Sequence, residues 1–230
     1  MAGKRRRAAM RRYRWQQIPE AVVRRLSYYL RELERQTAQG RDTISSSELA
    51  RTLGLTDSQV RKDLAFFGQF GYRGRGYHCR ELAAAIRRIL GTEKIWPVAV
   101  IGLGNLGRAL LGYRGFAEHG FPIVAGLDID PRRLEPPVPG VVLRPLEQLS
   151  DVVRTLSVRM AILAVPAAAA QEVADQLVQA GIQGILNFAP ISLSLPPQVR
   201  LVRVDLAMEL EQLAYTLAHS RARRRPPPDS

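Results

Sequence analysis

Cysteine, histidine and long apolar runs are all scarce in this chain of 230 residues. The single cysteine, Cys79, excludes an intramolecular disulfide framework and fits a reducing compartment. One cysteine and three histidines far apart in the sequence provide no zinc-ligand spacing, so we expect no metal. No run of eighteen apolar residues exists, and the Arg-rich start is not followed by a signal-peptide apolar stretch. We therefore expect a cytoplasmic protein with no membrane partner.

Lysine is also scarce, with 3 Lys against 31 Arg, but positive charge is not. Residues 1–91 hold 20 Lys and Arg against 8 Asp and Glu, whereas residues 92–230 hold 14 against 13. Removing the seven charges of residues 1–14 still leaves +5 on residues 15–91. Because each neutralised phosphate releases a counterion, charge concentrated in one part of the chain is typical of a polyanion-binding module.

The first part of the chain predicts a winged helix-turn-helix domain, residues 18–91, after a basic tail, residues 1–17, that we expect to be disordered. Ser45, with Glu48 three residues later, forms a capping-box pattern that opens a short helix. Thr56 begins the same capping pattern and opens another helix. Two short capped helices so close together are typical of the helix-turn-helix pattern. Longer helices are expected before and after this pair, over Ala21 to Ala38 and over Glu81 to Leu90.

The helix after Thr56 is the predicted recognition helix. Val60, Leu64 and Phe67 share one face, which we expect to point to the core. Small and basic residues lie opposite, and Lys or Arg there can donate to guanine O6 and N7 in the major groove. The same face could equally be a solvated helix surface. The predicted DNA contacts of the helix pair are Ser45, Ser46, Ser58, Arg61 and Lys62.

A Gly-punctuated basic segment with two aromatic residues follows, from Gly71 to Tyr77. It predicts a wing that touches phosphates or the minor groove, with Arg73 and Arg75 as DNA contacts. A plain flexible loop is the alternative. The position directly after a capped helix pair favours the wing.

Residues 92–204 predict a Rossmann-type domain with a parallel sheet. A strand, Val98 to Ile101, leads at once into a GxGxxG turn and a helix, where backbone amides can meet a pyrophosphate. The next strand ends at Asp128, a carboxylate that suits ribose hydroxyls and repels a 2′-phosphate, which favours NAD(H) over NADP(H). Arg132 and Arg133 follow closely and leave that preference open. The predicted cofactor contacts of this half are Gly102, Gly104, Asn105, Leu106, Gly107 and Asp128.

Two later strands, Met160 to Val165 and Gly184 to Leu186, are expected to end at the same edge of the sheet, where ligands bind in open parallel sheets. An apolar pocket at that edge would penalise the cationic oxidised nicotinamide and accept the neutral reduced ring. The residues concerned could equally be ordinary core. The predicted contacts are Val165, Pro166, Asn187, Phe188 and Pro190.

A final helix, residues 205–219, carries an apolar stripe made of Leu206, Leu210, Leu213 and Leu217. Such a helix either packs on its own sheet or crosses to a partner subunit, and the spacing does not decide between the two. Residues 220–230, rich in Arg and Pro, are expected to be disordered.

Taken in order, these motifs resemble the redox-sensing transcriptional repressor Rex family of bacteria, from about Pro19 to His219. The most specific stretch runs from Gln59 through Leu64 to Tyr77. The Arg-rich extension before Gln16 is not part of the pattern. The other motifs that carry the resemblance are Gly102–Gly107, Leu127–Asp130 and Gly184–Pro190.

The resemblance implies a repressor that senses the NADH/NAD⁺ ratio. It implies a homodimer that binds a palindromic operator in double-stranded DNA and releases it on binding NADH. A C-terminal helix swapped between the two Rossmann domains is implied as well. The implied switch contacts are Arg31, Tyr113 and Asp205, an ion pair and a hydrogen bond that exchange partners.

An NAD-dependent oxidoreductase with an appended nucleic-acid-binding domain is the alternative function. Hydride transfer needs a substrate pocket and usually a positioned proton donor or acceptor. His119 is expected at the wrong end of the sheet, and no substrate domain remains once the winged helix is counted. We therefore expect no catalytic residue. A Rossmann domain that only dimerises is disfavoured by Asp128 and the intact glycine set.

Overall fold

The computed structural model describes residues 18–71 and 76–220. The chain divides into two compact units, with the boundary between Lys94 and Ile95. Residues 1–17, 72–75 and 221–230 lie outside the described residues, and with them the predicted contacts Arg73 and Arg75 and the two tails expected to be disordered.

The first unit consists, in the part described, of helices and a two-stranded antiparallel ribbon. In the ribbon Thr43 pairs with His78 and Ile44 with Tyr77. The end of the predicted wing, at Tyr77, therefore pairs with the strand that precedes the helix pair. The elements are α1 (Glu20–Ala38), β1 (Thr43–Ile44), α2 (Ser46–Thr52), α3 (Asp57–Ala65), β2 (Tyr77–His78) and α4 (Cys79–Leu90).

Local sequence signals account for the ends of these helices. Ser45 and Glu48 form the complete capping box at α2, as predicted. Thr56 caps α3 by accepting from the backbone amide of Gln59. Helix α4 begins at Cys79 instead of Glu81, because β2 runs into it without a separate capping motif.

One apolar core holds the first unit together. Helix α1 contributes Leu26, Tyr29 and Leu33, which have no exposed surface. From α3, Val60 and Leu64 pack into the same core, as the spacing of the recognition helix predicts. The face of α3 that points away from DNA in the prediction is therefore the buried one.

The second unit is a doubly wound α/β fold around a six-stranded parallel sheet. The strand order is β5-β4-β3-β6-β7-β8, which reverses direction at β3. Its elements are β3 (Val98–Ile101), α5 (Asn105–Leu111), α6 (Gly115–Glu118), β4 (Ile123–Asp128), a 3₁₀ turn (Pro131–Leu134), β5 (Val142–Pro145), a second 3₁₀ turn (Leu146–Gln148), α7 (Leu149–Thr155), β6 (Met160–Leu163), α8 (Ala167–Gln179), β7 (Gly184–Asn187), β8 (Arg200–Arg203) and α9 (Leu206–Ser220).

Both faces of the sheet are covered by helices. Successive side chains of a strand point to opposite sides, so one strand contributes to two cores. On β3, Ala99 and Ile101 join the core that contains residues of α7 and α8. Val98 and Val100 join the other core, with Leu111 of α5. Because β3 is buried on both faces, all its residues are apolar, and this continuous apolar run is the pattern from which the strand was predicted.

Three details differ from the prediction. Strand β6 stops at Leu163 instead of Val165, because the chain turns there toward Pro166 and helix α8. Helix α9 extends through Ser220, which the prediction placed in the tail. Strand β5 and helix α7 were not predicted, since both are short and lack a clean apolar period.

Candidate nucleic-acid and dinucleotide sites

The outer face of α3 is exposed, as expected of a recognition helix. Ser58, Arg61, Lys62 and Ala65 are all exposed, on the side opposite the buried residues of this helix. Lys62 forms no ion pair with a residue in ranges 18–71 and 76–220. Its ammonium group is therefore available to a phosphate or a base.

Arg61 is held by two neighbours on the surface of the helix pair. Its Nη1 donates to Asp57 Oδ2 at 2.6 Å and to Ser46 Oγ at 3.2 Å. The hydrogen bond from Arg61 lowers the pKa of Asp57, which stays ionised. These contacts join α3 to α2 and are both made by Nη1. A guanidinium has further donors on Nη2 and Nε, so Arg61 can contact DNA while it stays paired with Asp57.

Of the three predicted serine contacts, Ser45 and Ser46 at the start of α2 differ in availability. The Ser45 hydroxyl accepts from the Glu48 amide at 3.1 Å and donates to Glu48 Oε2 at 2.8 Å, so it is engaged in the cap. Hydrogen bonds from Arg41 and from Ser45 lower the pKa of Glu48 to about 2. Ser46 follows the cap, and from the described part of the chain its hydroxyl accepts only the bond from Arg61 given above. Ser46 is thus the more available of the two.

A buried carboxylate that the sequence analysis did not single out lies on the inner side of α3. Asp63 has no exposed surface and accepts hydrogen bonds from Arg25, Tyr29 and Gln59. Burial alone raises the pKa of Asp63, but these hydrogen bonds outweigh it and hold the pKa below its ordinary value. Its signal in the sequence is a charged residue beside the core position Leu64.

The glycine-rich turn of the second unit lies between β3 and α5. Gly102 has φ +90°, and a Cβ there would come within 2.6 Å of the Ala164 carbonyl oxygen. A Cβ on Gly107 would overlap the Gly102 carbonyl oxygen. The fold itself therefore requires glycine at these two positions.

Gly104 differs, because a Cβ there would meet only Nη1 of Arg133, at 3.8 Å. Packing among residues 18–71 and 76–220 does not require glycine here. A glycine at this position of the motif lets a pyrophosphate come close to the backbone. The exposed residues Asn105 and Leu106 follow at the start of α5. The turn thus fits a dinucleotide phosphate.

Asp128 ends β4 next to this turn and is 4% exposed. Its Oδ2 accepts from the Leu103 amide at 2.6 Å and its Oδ1 from the Asp130 amide at 2.8 Å. Arg133 Nη1 lies 3.5 Å from Oδ2, a loose contact. The carboxylate is thus fixed beside the turn, and its predicted contact with ribose hydroxyls stays a prediction.

Arg132 and Arg133 are held differently. Arg132 donates to both oxygens of Asp130, at 3.0 and 2.9 Å, and these bonds lower the pKa of Asp130. The guanidinium of Arg133 is half exposed and makes only contacts of 3.5 and 3.9 Å with Asp128 and Asp130. Arg133 is the one of the two that can turn toward a ligand at Asp128.

The remaining predicted cofactor contacts follow the neighbouring strands β6 and β7. The Phe188 amide donates to the Leu163 carbonyl at 2.9 Å, which holds the two segments side by side. Phe188 and Val165 are half buried, while Pro166 and Pro190 are exposed. Both apolar side chains also pack against the two cores of the second unit. Their contact with a nicotinamide stays a prediction.

Asn187 is buried and its side chain is engaged within the protein. Its Nδ2 donates to the carbonyl oxygens of Ala189 and Ile191, and its Oδ1 accepts from the Ala189 amide at 2.9 Å. Asn187 therefore shapes the loop after β7, and its amide has no free donor to offer a ligand.

The three predicted switch residues are exposed. Arg31 lies on α1 of the first unit. Tyr113 follows α5 in the second unit, where its ring packs edge-on against Phe116 with centroids 4.9 Å apart. Asp205 precedes α9, and its Oδ1 accepts from the amides of Ala207 and Met208 at 3.0 and 3.3 Å. Asp205 thus caps α9, and its part in a switch stays a prediction.

Helix α9 presents large apolar side chains to solvent. The predicted stripe is more than half exposed, with Leu206 at 62%, Leu210 at 66%, Leu213 at 54% and Leu217 at 64%. Burying such a stripe contributes roughly 1.5–3 kcal/mol for each leucine. Exposed stripes of this kind mark interaction sites.

Across residues 18–71 and 76–220 no group of three or more His, Cys, Asp or Glu side chains is arranged to hold a metal ion. Within the same part of the chain, no helix has the length and apolar character needed to cross a membrane.

Two family models match the chain, "Putative DNA-binding protein N-terminus" over residues 17–65 and "CoA binding domain" over residues 93–191. The redox-sensing transcriptional repressor Rex of Desulfitobacterium hafniense is 46% identical over 205 residues, which cover 89% of this chain and 98% of the relative. The protein of the same name from Streptomyces coelicolor is 43% identical over 198 residues, 86% of this chain and 77% of the relative.

Solved structures of RSP, a Rex-family repressor, share the fold. The complex of RSP with β-NAD⁺ and operator DNA matches with a TM-score of 0.82 at 38% identity, over 89% of this chain and 94% of that one. The complex of RSP with β-NADH matches with a TM-score of 0.80 at 36% identity, over 90% of this chain and 97% of that one.

Proposed function

The chain belongs to the redox-sensing transcriptional repressor Rex family, and from this we propose that it is a DNA-binding repressor whose hold on its operator is released by NADH. The relatives are named as transcriptional repressors and not as enzymes, so the chain is a regulator and not an oxidoreductase. A repressor acts on DNA in the cytoplasm, which is the compartment we propose for it.

The observation that carries the proposal is the pair formed by Gly104 and Asp128. Packing among the residues that the structure describes gives Gly104 no reason to be glycine, and Asp128 is fixed beside it by two backbone amides. Together they fit the pyrophosphate and ribose of a dinucleotide. The same chain carries an exposed recognition helix in a basic unit, which fits DNA.

Each unit has its own binding site, the first for DNA and the second for the dinucleotide. In the first, Lys62, Arg61 and Ser46 contact operator DNA, together with Ser58 and with Arg73 and Arg75 of the wing. In the second, Gly102 to Gly107 and Asp128 hold the pyrophosphate and ribose ends of NADH or NAD⁺. Val165, Phe188 and their neighbours face the nicotinamide. The nicotinamide supplies the signal by being neutral when reduced and cationic when oxidised, and an apolar wall disfavours the cation.

We propose a homodimer in which α9 crosses to the Rossmann domain of the partner subunit. The support is the exposed stripe of α9, since its leucines are apolar and more than half exposed in the single chain. A two-fold dimer would present two recognition helices to a palindromic operator. Arg31, Tyr113 and Asp205 then form the contacts that change when NADH binds.

Binding of the purified protein to duplex DNA tests this function. A palindromic operator is first selected from a random duplex pool by the protein itself, then labelled and titrated alone, with excess NADH, with excess NAD⁺ and with excess coenzyme A. We expect release by NADH and retention with NAD⁺. Indifference to all three ligands would make the chain a constitutive DNA-binding protein, and release by coenzyme A alone would identify a different ligand.

A further inference from the structure

We propose that Asp63 is a positioning residue for DNA recognition, which fixes the orientation of α3 against α1 through Arg25 and Tyr29. The inference rests on the proposed binding of operator DNA by the outer face of α3. Asp63 itself is buried and faces away from that surface.

Four hydrogen bonds converge on this carboxylate and occupy both oxygens. Oδ1 accepts from Arg25 Nη2 at 2.8 Å and from Gln59 Nε2 at 2.7 Å. Oδ2 accepts from Arg25 Nε at 2.5 Å and from the Tyr29 hydroxyl at 2.7 Å. An ionised carboxylate has about four acceptor positions, so its capacity is filled. Arg25 and Tyr29 belong to α1, whereas Asp63 and Gln59 belong to α3.

Stability alone does not account for this arrangement. Taking an Arg–Asp pair out of water is costly, and replacing such a pair by apolar residues of similar volume is often neutral or stabilising. Val60 and Leu64 already pack α3 onto the core. Apolar packing is non-directional, however, whereas a bidentate Arg–carboxylate pair fixes direction as well as distance.

The orientation of α3 matters because its exposed residues and Asp63 belong to the same rigid helix. Lys62 directly precedes Asp63, and Arg61 precedes Lys62. Rotation of a helix by about 20° moves groups at its surface by roughly 2 Å. A shift of that size breaks bidentate contact with a base edge but leaves a flexible cation within reach of a phosphate. Loss of the Asp63 contacts should therefore reduce sequence selectivity more than general DNA affinity.

An apolar replacement of the whole cluster, Arg25→Met with Tyr29→Phe and Asp63→Leu, tests the proposal. Affinity is measured for the selected operator and for random duplex DNA, with the Tm of each variant. We expect the Tm to change by no more than about 5 °C. Random-DNA affinity should stay near wild type, and the operator-to-random ratio should fall by roughly tenfold or more. An unchanged ratio, or equal losses on both DNAs, would overturn the proposal.

Arg25→Lys provides the decisive measurement if the triple variant does not fold. Lysine keeps the charge beside Asp63 but lacks the fork that makes two parallel bonds. We expect the selectivity ratio to fall by roughly threefold or more, and an unchanged ratio would overturn the proposal.

Arg87→Met is the matched control. It removes another Arg–carboxylate contact of the first unit, the 2.7 Å bond from α4 to Glu34 on α1, which does not involve α3. The ratio should not change. If wild-type protein itself failed to distinguish operator from random DNA, the proposed function would fail and not this inference alone.

Discussion

The backbone amide of Leu103 donates a 2.6 Å hydrogen bond to Oδ2 of Asp128, so the glycine-rich turn is tied to the end of β4. A carboxylate that binds a ribose has to be held in one place to act as a specific acceptor. The fold holds Asp128 at both oxygens, since a second amide, from Asp130, donates to Oδ1. The carboxylate that we propose for the ribose is therefore positioned by the backbone itself.

Asp128→Ala should weaken binding of NADH and NAD⁺ alike, by roughly tenfold to a hundredfold, because each loses a charge-assisted hydrogen bond to its ribose. Operator binding without ligand should be retained, since the recognition helix lies in the other unit. Calorimetric titration of both dinucleotides measures the effect. Asp151→Ala, an exposed carboxylate on α7, is the control and should bind both normally. Unchanged NADH affinity in Asp128→Ala would remove this residue from the site.

Arg133→Ala should lower the affinity for NADPH while changing that for NADH by less than about threefold. Asp128 repels a 2′-phosphate, but the loosely held guanidinium of Arg133 can turn toward one. Arg132→Ala is the matched control, because Arg132 is engaged by both oxygens of Asp130. Competition of NADPH against NADH compares the variants. Equal NADPH affinity in wild type and Arg133→Ala would show that Arg133 makes no contact with that phosphate.

Features encoded within a few residues were predictable, and those that join distant segments were not. The cap formed by Ser45 and Glu48 spans one helical turn, and the GxGxxG turn spans six residues, so both show in the sequence. The Asp63 contacts join residues as much as 38 positions apart. No local sequence pattern predicts which arginine of α1 pairs with Asp63.

The hydrogen-bond partners of individual polar side chains could not be predicted from the sequence either. Asn187 was predicted to contact the cofactor, yet its amide is engaged with its own loop. Arg61 was predicted to contact DNA, and its pairing with Asp57 depends on side-chain geometry. Position along an element follows from the pattern, whereas hydrogen-bond partners follow from packing.

Lys62→Ala should weaken operator binding more than binding to random DNA, by roughly 1–3 kcal/mol, if its ammonium group contacts a base edge. Fluorescence anisotropy with both duplexes at several salt concentrations measures it. Arg24→Ala, an exposed arginine on α1, provides a charge-matched control. Equal losses on both duplexes would identify Lys62 as a phosphate contact.

Leu213→Glu should convert the proposed dimer into a monomer, because a charge in an apolar interface must be desolvated without a partner. Light scattering of the purified protein gives the mass directly. Gln212→Glu adds the same charge at the neighbouring position of α9, outside the apolar stripe, and should remain dimeric. A dimeric Leu213→Glu protein would exclude this stripe from the interface.

Asp205→Asn should uncouple NADH binding from DNA release while leaving both ligands bound normally. Asp205 caps α9 through the amides of Ala207 and Met208, so alanine would remove the cap together with the charge. Asparagine is as good a cap as aspartate and removes only the charge. An effect of Asp205→Asn can therefore be assigned to the ion pair.

The size of the effect follows from linkage. A roughly 100-fold weakening of operator binding by NADH corresponds to a coupling of about 2.7 kcal/mol, and operator DNA must weaken NADH binding by the same factor. In Asp205→Asn both factors should fall together toward one, measured by operator titration with NADH and by NADH titration with operator. Light scattering verifies that the variant is still dimeric. Full NADH sensitivity in a dimeric Asp205→Asn protein would show that the charge of Asp205 takes no part in the switch, and Arg31 would then need another partner.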